Sequence, residues 1–433
     1  MVGDGPSGPR GRVTHDLPPT RSYGRGPVCV RRRLLAGHPG RSHHADLSVS
    51  RDPALVSPRL IIQPRVPEQQ VPQGPVPQRP FTPARLGAMR ISTSLNYATD
   101  PQTAAAQARE LEAAGVDRIW IPEAYGFDAV SLLGYLAAST STVELGSGIL
   151  NTYSRTPALL AQTAAGLDAL SEGRFVLGLG ASGPQVIEGF HGMPYAKPLT
   201  RIKEIIEICR SAWRREPLVY DGNVFTLPLP PDQGTGLGKP LKIINHLKRA
   251  EIPIYIAALG QKSVEETAAS CEGWLPFLVY PERMAQVWGD AVNAGLARRD
   301  AALDDFDVVA GGLVAIGDDA AQYRDLGRPM AALYIGGMGA RGKNFYNDVC
   351  RQYGFADEAA AVQDAYLDGR KEEAAGLLPD ELIENTSLCG DEAYVVDRLA
   401  AYKDAGVTSL NVTPIGGEAA TVLGRLRELA EHA

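Results

Sequence analysis

This chain is short of the residues that build metal centres and disulfide frameworks. Among 433 residues there are 5 cysteines, and no two of them form a CxxC pair. In a chain of this length that scatter reads as reduced thiols in a cytosolic protein rather than as a disulfide scaffold. Histidine is equally sparse, with 7 in all, and only His191, His246 and His432 lie beyond residue 88. Their spacing matches no metal-ligand pattern, so no metal site is expected. No apolar run approaches the roughly 18 residues that a membrane span needs. Basic charge is scarce where a nucleic-acid surface would need it. Residues 1–88 hold 13 of the 43 Lys and Arg and 5 of the 50 Asp and Glu, a balance of +8. The remaining 30 basic and 45 acidic residues leave −15. An acidic body argues against a nucleic-acid partner.

The first 88 residues are a different kind of polymer. They carry 15 of the 32 prolines and 10 of the 46 glycines, with no apolar period. A segment so poor in buriable groups cannot offset its ordering entropy, so disorder is expected there. Arg31-Arg32-Arg33-Leu34-Leu35 resembles a twin-arginine signal on the surface. Ala36-Gly37-His38-Pro39 follows at once, and the apolar stretch that such a signal needs is missing. The segment reads either as a basic or targeting tail or as an upstream extension of a chain starting at Met89. The second reading is preferred, because Arg90–Leu95 is a good first strand. The expected domains are therefore a Pro/Arg-rich extension over 1–88 and one folded domain over 89–433.

From Met89 onward, strand and helix signals alternate. Strands are expected over Arg90–Leu95, Arg118–Ile121, Val143–Gly148, Phe175–Leu179, Ile254–Ala258, Trp274–Tyr280, Phe306–Ile316 and Ser409–Thr413. Helices are expected over Gln102–Ala114, Asp128–Ala138, Pro157–Leu170, Leu199–Arg214, Ser263–Cys271, Glu282–Ala297 and Ala419–His432. A Pro/Gly-rich loop falls after the fourth strand, and a long helical insertion over about 320–380 follows the seventh. Eight strand–helix units predict an α/β fold, a (β/α)8 barrel with insertions after strands 4 and 7. A doubly wound open sheet is the fallback, less favoured because no GxGxxG follows the first strand.

In such a barrel, chemistry sits where strands end. The most informative end is Arg174-Phe175-Val176-Leu177-Gly178-Leu179-Gly180-Ala181-Ser182-Gly183. A buried strand opens there into a glycine elbow, which offers bare N–H groups to an anionic or planar ligand. Leu259-Gly260-Gln261-Lys262-Ser263 opens a helix, and its free amides and lysine suit a phosphate or an ordinary turn alike. Glu123 ends the second strand as either a proton donor, a ring hydrogen-bond partner or an ion-paired rim carboxylate. Tyr97, Tyr125 and Tyr153 form an aromatic wall or simply pack the mouth. His191 reads as a loop residue. Trp213 and Trp288 read as helix–barrel contacts.

Four motifs in order then carry a family resemblance from Met89 to the end. They are Ile119-Trp120-Ile121-Pro122-Glu123-Ala124-Tyr125-Gly126-Phe127-Asp128-Ala129, Leu145-Gly146-Ser147-Gly148-Ile149, Ser171-Glu172-Gly173-Arg174-Phe175 with its elbow, and Pro253-Ile254-Tyr255-Ile256-Ala257-Ala258-Leu259-Gly260. The chain resembles the luciferase-like flavin and deazaflavin oxidoreductases, and within them the coenzyme F420 branch that includes the methylene-tetrahydromethanopterin reductases. The resemblance implies coenzyme F420 in the barrel mouth, with FMN as the alternative cofactor. It implies that Gly148 and Ile149 flank a cis peptide against the ring, and that Glu123 bonds near the ring. Gly180, Ala181, Ser182 and Gly183 would line the cofactor, while Leu259, Gly260, Gln261 and Lys262 would take its phosphate. Glu123 and Tyr125 are the implied proton donors. Two departures stand out. Glu123-Ala124 replaces the Asp-His of the sugar-phosphate dehydrogenases, and Ser94 replaces a glutamate of the reductases. The expected activity is hydride transfer to a C=N, C=C or C=O bond of a small molecule. An FMN-dependent monooxygenase and a non-catalytic flavin-binding barrel are the alternatives. A homodimer is left open by the resemblance.

Overall fold

The computed structural model describes residues 89–96, 99–303 and 305–432. The expectations for residues 1–88 and for Tyr97 lie outside the described residues. Eight parallel strands close into a barrel. They are β1 Arg90–Ser94, β2 Arg118–Ile121, β3 Glu144–Ser147, β4 Phe175–Gly180, β5 Ile254–Ala257, β6 Gly273–Trp274, β7 Asp307–Ala310 and β8 Ser409–Asn411. Each pairs with the next, and β8 returns to β1, so the sheet has no open edge. The doubly wound alternative is excluded by that closure. Among the described residues, no helix is long and apolar enough to cross a membrane.

Alternation along the strands divides the core in two. Ile119, Ile121, Phe175, Leu177, Leu179, Ile254 and Ile256 face outward into the layer beneath the helices. Trp120, Val176, Tyr255 and Val309 face inward and form a separate cluster inside the barrel. The two large interior rings fit because adjacent strands carry no side chain beside them. An added Cβ at Gly146 would come within 2.3 Å of the Trp120 ring, and one at Gly273 within 2.1 Å of the Tyr255 ring.

Helix starts are set by local capping. Asp100, Asp128 and Thr156 accept backbone N–H bonds at the heads of helices Pro101–Ala113, Ala129–Ser139 and Pro157–Leu170. Pro157 occupies the first turn, where its missing N–H costs nothing.

Two expected strands differ, and one observed helix is unexpected. The sixth strand pairs over only Gly273–Trp274, because Pro276 cannot donate to a ladder and Leu278 adopts a φ of 55°. The expected seventh strand is two, β7 and Leu313–Ile316, broken at Gly311-Gly312. Its second half leaves the barrel and pairs with Leu388–Gly390 and Thr413–Pro414 in a small parallel sheet. Helix Glu392–Asp404, which carries the chain into β8, has no counterpart in the expected element list.

At the amino-terminal end of the barrel a buried charge cluster plugs the interior. Arg118 is 3% exposed, and its guanidinium lies 5.0 Å from the Trp120 ring and 4.6 Å from the Tyr255 ring. It bonds Glu144 at 2.8 Å, Asp307 at 3.1 Å and the Tyr255 hydroxyl at 3.0 Å. Asp307 also accepts from Tyr255, Thr408 and Ser409. Burial pushes the Asp307 carboxyl up, but Arg118 and these hydroxyl donors outweigh it and hold it below the usual range. A carboxyl lowered on folding stabilises above its ordinary value, and that stability is lost as pH falls through the folded value. Arg118→Met leaves Asp307 buried without its cation. The expected outcome is a loss of about 3–5 kcal/mol in urea unfolding at neutral pH, with the acid-unfolding midpoint moved to higher pH.

Candidate active site at the barrel mouth

The carboxyl ends of β3 and β4 meet with little side chain between them. The Gly148–Ile149 peptide bond is cis, and the chain re-pairs just beyond it, Leu150 with Leu179 and Asn151 with Gly180. Ile149 lies against the bare face of β4. A Cβ added at Gly180 would come within 2.9 Å of Ile149 Cδ1. Past Gly180 the elbow turns through Ser182 at a φ of 56°, and Gly183 precedes the short helix Pro184–Gly189. The Tyr195 hydroxyl donates to the Ser182 carbonyl at 3.2 Å, so the elbow is held from outside. Burial, then Tyr153, pushes the Tyr195 phenol up to about 12, so it stays a neutral donor.

The second expected segment is just as firmly placed. Trp274 and Trp288 donate their indole N–H groups to the carbonyls of Ala258 and Leu259, each at 2.8 Å. These bonds lock the turn at Gly260 that starts helix Gln261–Ser270. The Gln261 side chain bonds the Val287 carbonyl at 2.5 Å, so what Gln261 offers the mouth is its backbone amide. Lys262 is exposed.

Two polar atoms near the strand ends are buried with no hydrogen-bond partner among the described residues. They are Asn411 Oδ1 at the end of β8 and Thr152 Oγ1 just after the β3 extension. Asn411 Nδ2 donates to Ser94 Oγ at 3.4 Å, which leaves its oxygen as the unused acceptor. Buried polar atoms of this kind call for a partner.

The other sequence-predicted residues sit differently. Both oxygens of Glu123 accept from Arg155, each at 2.7 Å, and Oε2 also accepts from the Ala129 amide at 3.0 Å. This hydrogen bonding holds the Arg155 guanidinium above its ordinary value. Of the three roles open to Glu123 in the sequence, the ion-paired rim carboxylate is the one this geometry occupies. Tyr125 is 69% exposed, with its ring 6.4 Å from Phe190. Tyr153 is buried, stacks on Tyr195 at 5.2 Å and donates to the Ala196 carbonyl. His191 touches Asn151 Nδ2 at 3.3 Å. Arg155, Tyr195 and Asn411 carry no local sequence signal, since each acts on residues more than ten positions away.

The Glu123–Arg155 pair is nearly buried, at 8% and 14% side-chain exposure. Glu123→Gln is expected to cost about 2–4 kcal/mol by thermal or urea unfolding. A cycle with Arg155→Met tests the pairing, because non-additivity is expected there. Additive losses would show that the two side chains act separately.

The comparisons with known proteins agree with this architecture. The sequence model of the luciferase-like monooxygenase family matches residues 80–409. A Mycobacterium tuberculosis protein provisionally named a coenzyme F420-dependent oxidoreductase is 42% identical over 331 residues, covering 75% of this chain and 95% of that one. The 5,10-methylenetetrahydromethanopterin reductase of Archaeoglobus fulgidus is 31% identical over 312 residues, covering 70% and 87%. The structure of the coenzyme F420-dependent tetrahydromethanopterin reductase of Methanopyrus kandleri superposes with a TM-score of 0.66 at 23% identity, covering 79% and 97%. That last likeness speaks for the fold alone. A family match over most of the chain, together with a relative at 42% identity, means that this chain belongs to the luciferase-like monooxygenase family.

Proposed function

We propose that the chain is a coenzyme F420-dependent oxidoreductase that transfers a hydride to a C=N, C=C or C=O bond of a small molecule. The observation that supports it most is the bare β4 end, where Ile149 faces Gly180 beside the locked helix start at Gly260. The residues present fit a planar heterocycle with a phosphate-bearing tail. Ile149 and the Gly180–Gly183 elbow offer a flat wall without side chains in the way. Asn411 Oδ1 and Thr152 Oγ1 are buried polar atoms still lacking a partner. Gly260, Gln261 and Lys262 offer first-turn amides and one cation to an anionic group. When bound, the deazaflavin supplies the hydride, and the protein supplies position and exclusion of competing reactions.

In this reading Glu123 is a positioning residue. It orients Arg155 and caps helix Ala129–Ser139, so the β2 and β3 loops keep their places. Tyr125 is the remaining proton donor from the motif, and its exposure leaves the hydroxyl accessible. The names of the relatives favour the deazaflavin over FMN.

Anaerobic titration of the full chain with reduced coenzyme F420 and with reduced FMN, followed by tryptophan fluorescence, tests the cofactor. Trp274 and Trp288 are built-in reporters, since both bond the turn that would hold the phosphate. Saturable micromolar binding of the deazaflavin with none of FMN is expected. The reverse preference would assign FMN, and binding of neither would overturn the proposal. Gly180→Val pushes a branched side chain against Ile149. It is expected to weaken deazaflavin binding by about tenfold or more in the same titration, in line with the cost of overpacking.

A further inference from the structure

Three aromatic side chains from distant parts of the chain meet over the β6 side of the mouth. Leu275 packs against the interior cluster, and Phe277 follows two residues later where the chain lifts off the barrel. The Phe277 ring lies 4.2 Å from Tyr334 and 5.9 Å from Tyr346, and those two rings are 4.8 Å apart. The same group borders the proposed cofactor segments. A Cβ at Gly260 would sit 3.7 Å from Phe345, the neighbour of Tyr346. Burial, with Tyr334 and Tyr195 close by, pushes the Tyr346 phenol up, and Tyr195 is the residue that holds the elbow.

One buried side chain sets both tyrosines. Asn344 is 2% exposed. Its amide donates to the carbonyls of Tyr334 at 2.9 Å and Ile335 at 3.0 Å. Its oxygen accepts from the amides of Tyr346 at 3.0 Å and Asn347 at 3.3 Å. The first pair of bonds satisfies carbonyls of the π-turn Leu333–Gly337, and the second caps helix Phe345–Gln352. A π-turn inside a helical segment often marks a functional position. Asn347 reinforces the clamp with bonds to the Ile335 and Ala359 carbonyls.

We propose that Phe277, Tyr334 and Tyr346, held by Asn344, form the specificity wall of the site and select an uncharged, ring-bearing substrate. The inference deepens the oxidoreductase reading and rests on it. An ion brought against these rings would lose its water without gaining a counter-ion from them. The rings also do not form a cage for a cation. The Tyr346 ring stands nearly perpendicular to both partners, at 88° and 79°, and Phe277 and Tyr334 lie tilted at 35° against each other. Their faces are spent on one another, so no three faces converge on one point. Phe277, 37% exposed, leaves part of this group open, which suits offset or edge contact with a neutral ring. Asn344 acts through the two tyrosines and is a positioning residue.

The test uses the full chain and saturation-transfer NMR with three probes. These are cyclohex-2-en-1-one as the neutral ring, cyclohex-1-ene-1-carboxylate as the anion and cyclohexylammonium as the cation. The neutral ketone is expected to bind at least about tenfold more tightly than either ion. Phe277→Leu is expected to weaken ketone binding about fivefold. Asn344→Ser keeps a helix-capping oxygen and loses the two donations to the π-turn. It is expected to weaken ketone binding several-fold while leaving coenzyme affinity, read by tryptophan fluorescence, unchanged. Equal binding of the three probes, or no effect of Phe277→Leu, overturns the wall. An equal loss of coenzyme affinity in Asn344→Ser overturns the positioning role. Selective ketone binding without coenzyme binding would leave the wall standing and remove the oxidoreductase reading.

Discussion

The barrel rests on one cation held against two aromatic rings. Arg118 lies over Trp120 and Tyr255 with carboxylates on both flanks, and every one of these groups is inside the barrel or at its floor. Removing a guanidinium from water is costly, and only paired charge and full hydrogen bonding offset that. Asp307 supplies much of the offset and is itself satisfied by Tyr255, Thr408 and Ser409. The cluster thus ties β2, β3, β5, β7 and β8 together at one end. Trp120 continues the column upward by donating to Ser92, which in turn donates to the Leu410 carbonyl. The opposite end carries the glycine elbow and the Gly260 turn, and there the chemistry can sit.

At that upper end, position is supplied by two indoles and a phenol. Trp274 and Trp288 hold the carbonyls before Gly260, and Tyr195 holds the elbow at Ser182. A cofactor would therefore meet backbone that is already ordered, and less conformational entropy is lost on binding. Glu123 belongs to this supporting layer. A carboxylate that accepts two bonds from Arg155 and one from an amide is committed to orienting its neighbours.

Much of the barrel was legible because period and punctuation are local properties. β2 and helix Pro157–Leu170 fall at their expected bounds, and most other barrel elements fall within a residue or two. The failures are nonlocal. The apolar run Phe306–Ile316 looks like one strand, yet Gly311-Gly312 divides it between two sheets, and nothing in the run names the second partner. Trp274–Tyr280 is as apolar as a strand, but Pro276 removes a donor and the chain lifts away with Phe277. In the site, the glycine elbow and the Gly260 turn could be read directly, because a strand running into such a turn is itself the signal. The partner of Glu123 could not, since Arg155 lies 32 residues away in a loop of no distinctive composition. Asn344 left a weak trace: an asparagine heading an aromatic-rich helix is a capping signal. Its second role, on the carbonyls of a π-turn, has no sequence counterpart.

The two halves of the mouth obey different constraints, and this bears on where specificity can change. The proposed cofactor side is built from barrel strands whose glycines and indoles are tied into the core. A substitution there disturbs packing as well as binding. The aromatic side hangs from the segment between β7 and β8, through Tyr334 and Tyr346, and meets the barrel through Phe277. A change of ring or hydroxyl on that segment can alter what fits without touching the strands. Hosting many reactions on one barrel by loop variation works in this way. The clamp at Asn344 limits that freedom. One side chain serves the backbone of both tyrosines, so the wall can change its surface more easily than its position. If the three rings form the specificity wall, substrate choice follows their identity, and their placement follows a single buried amide.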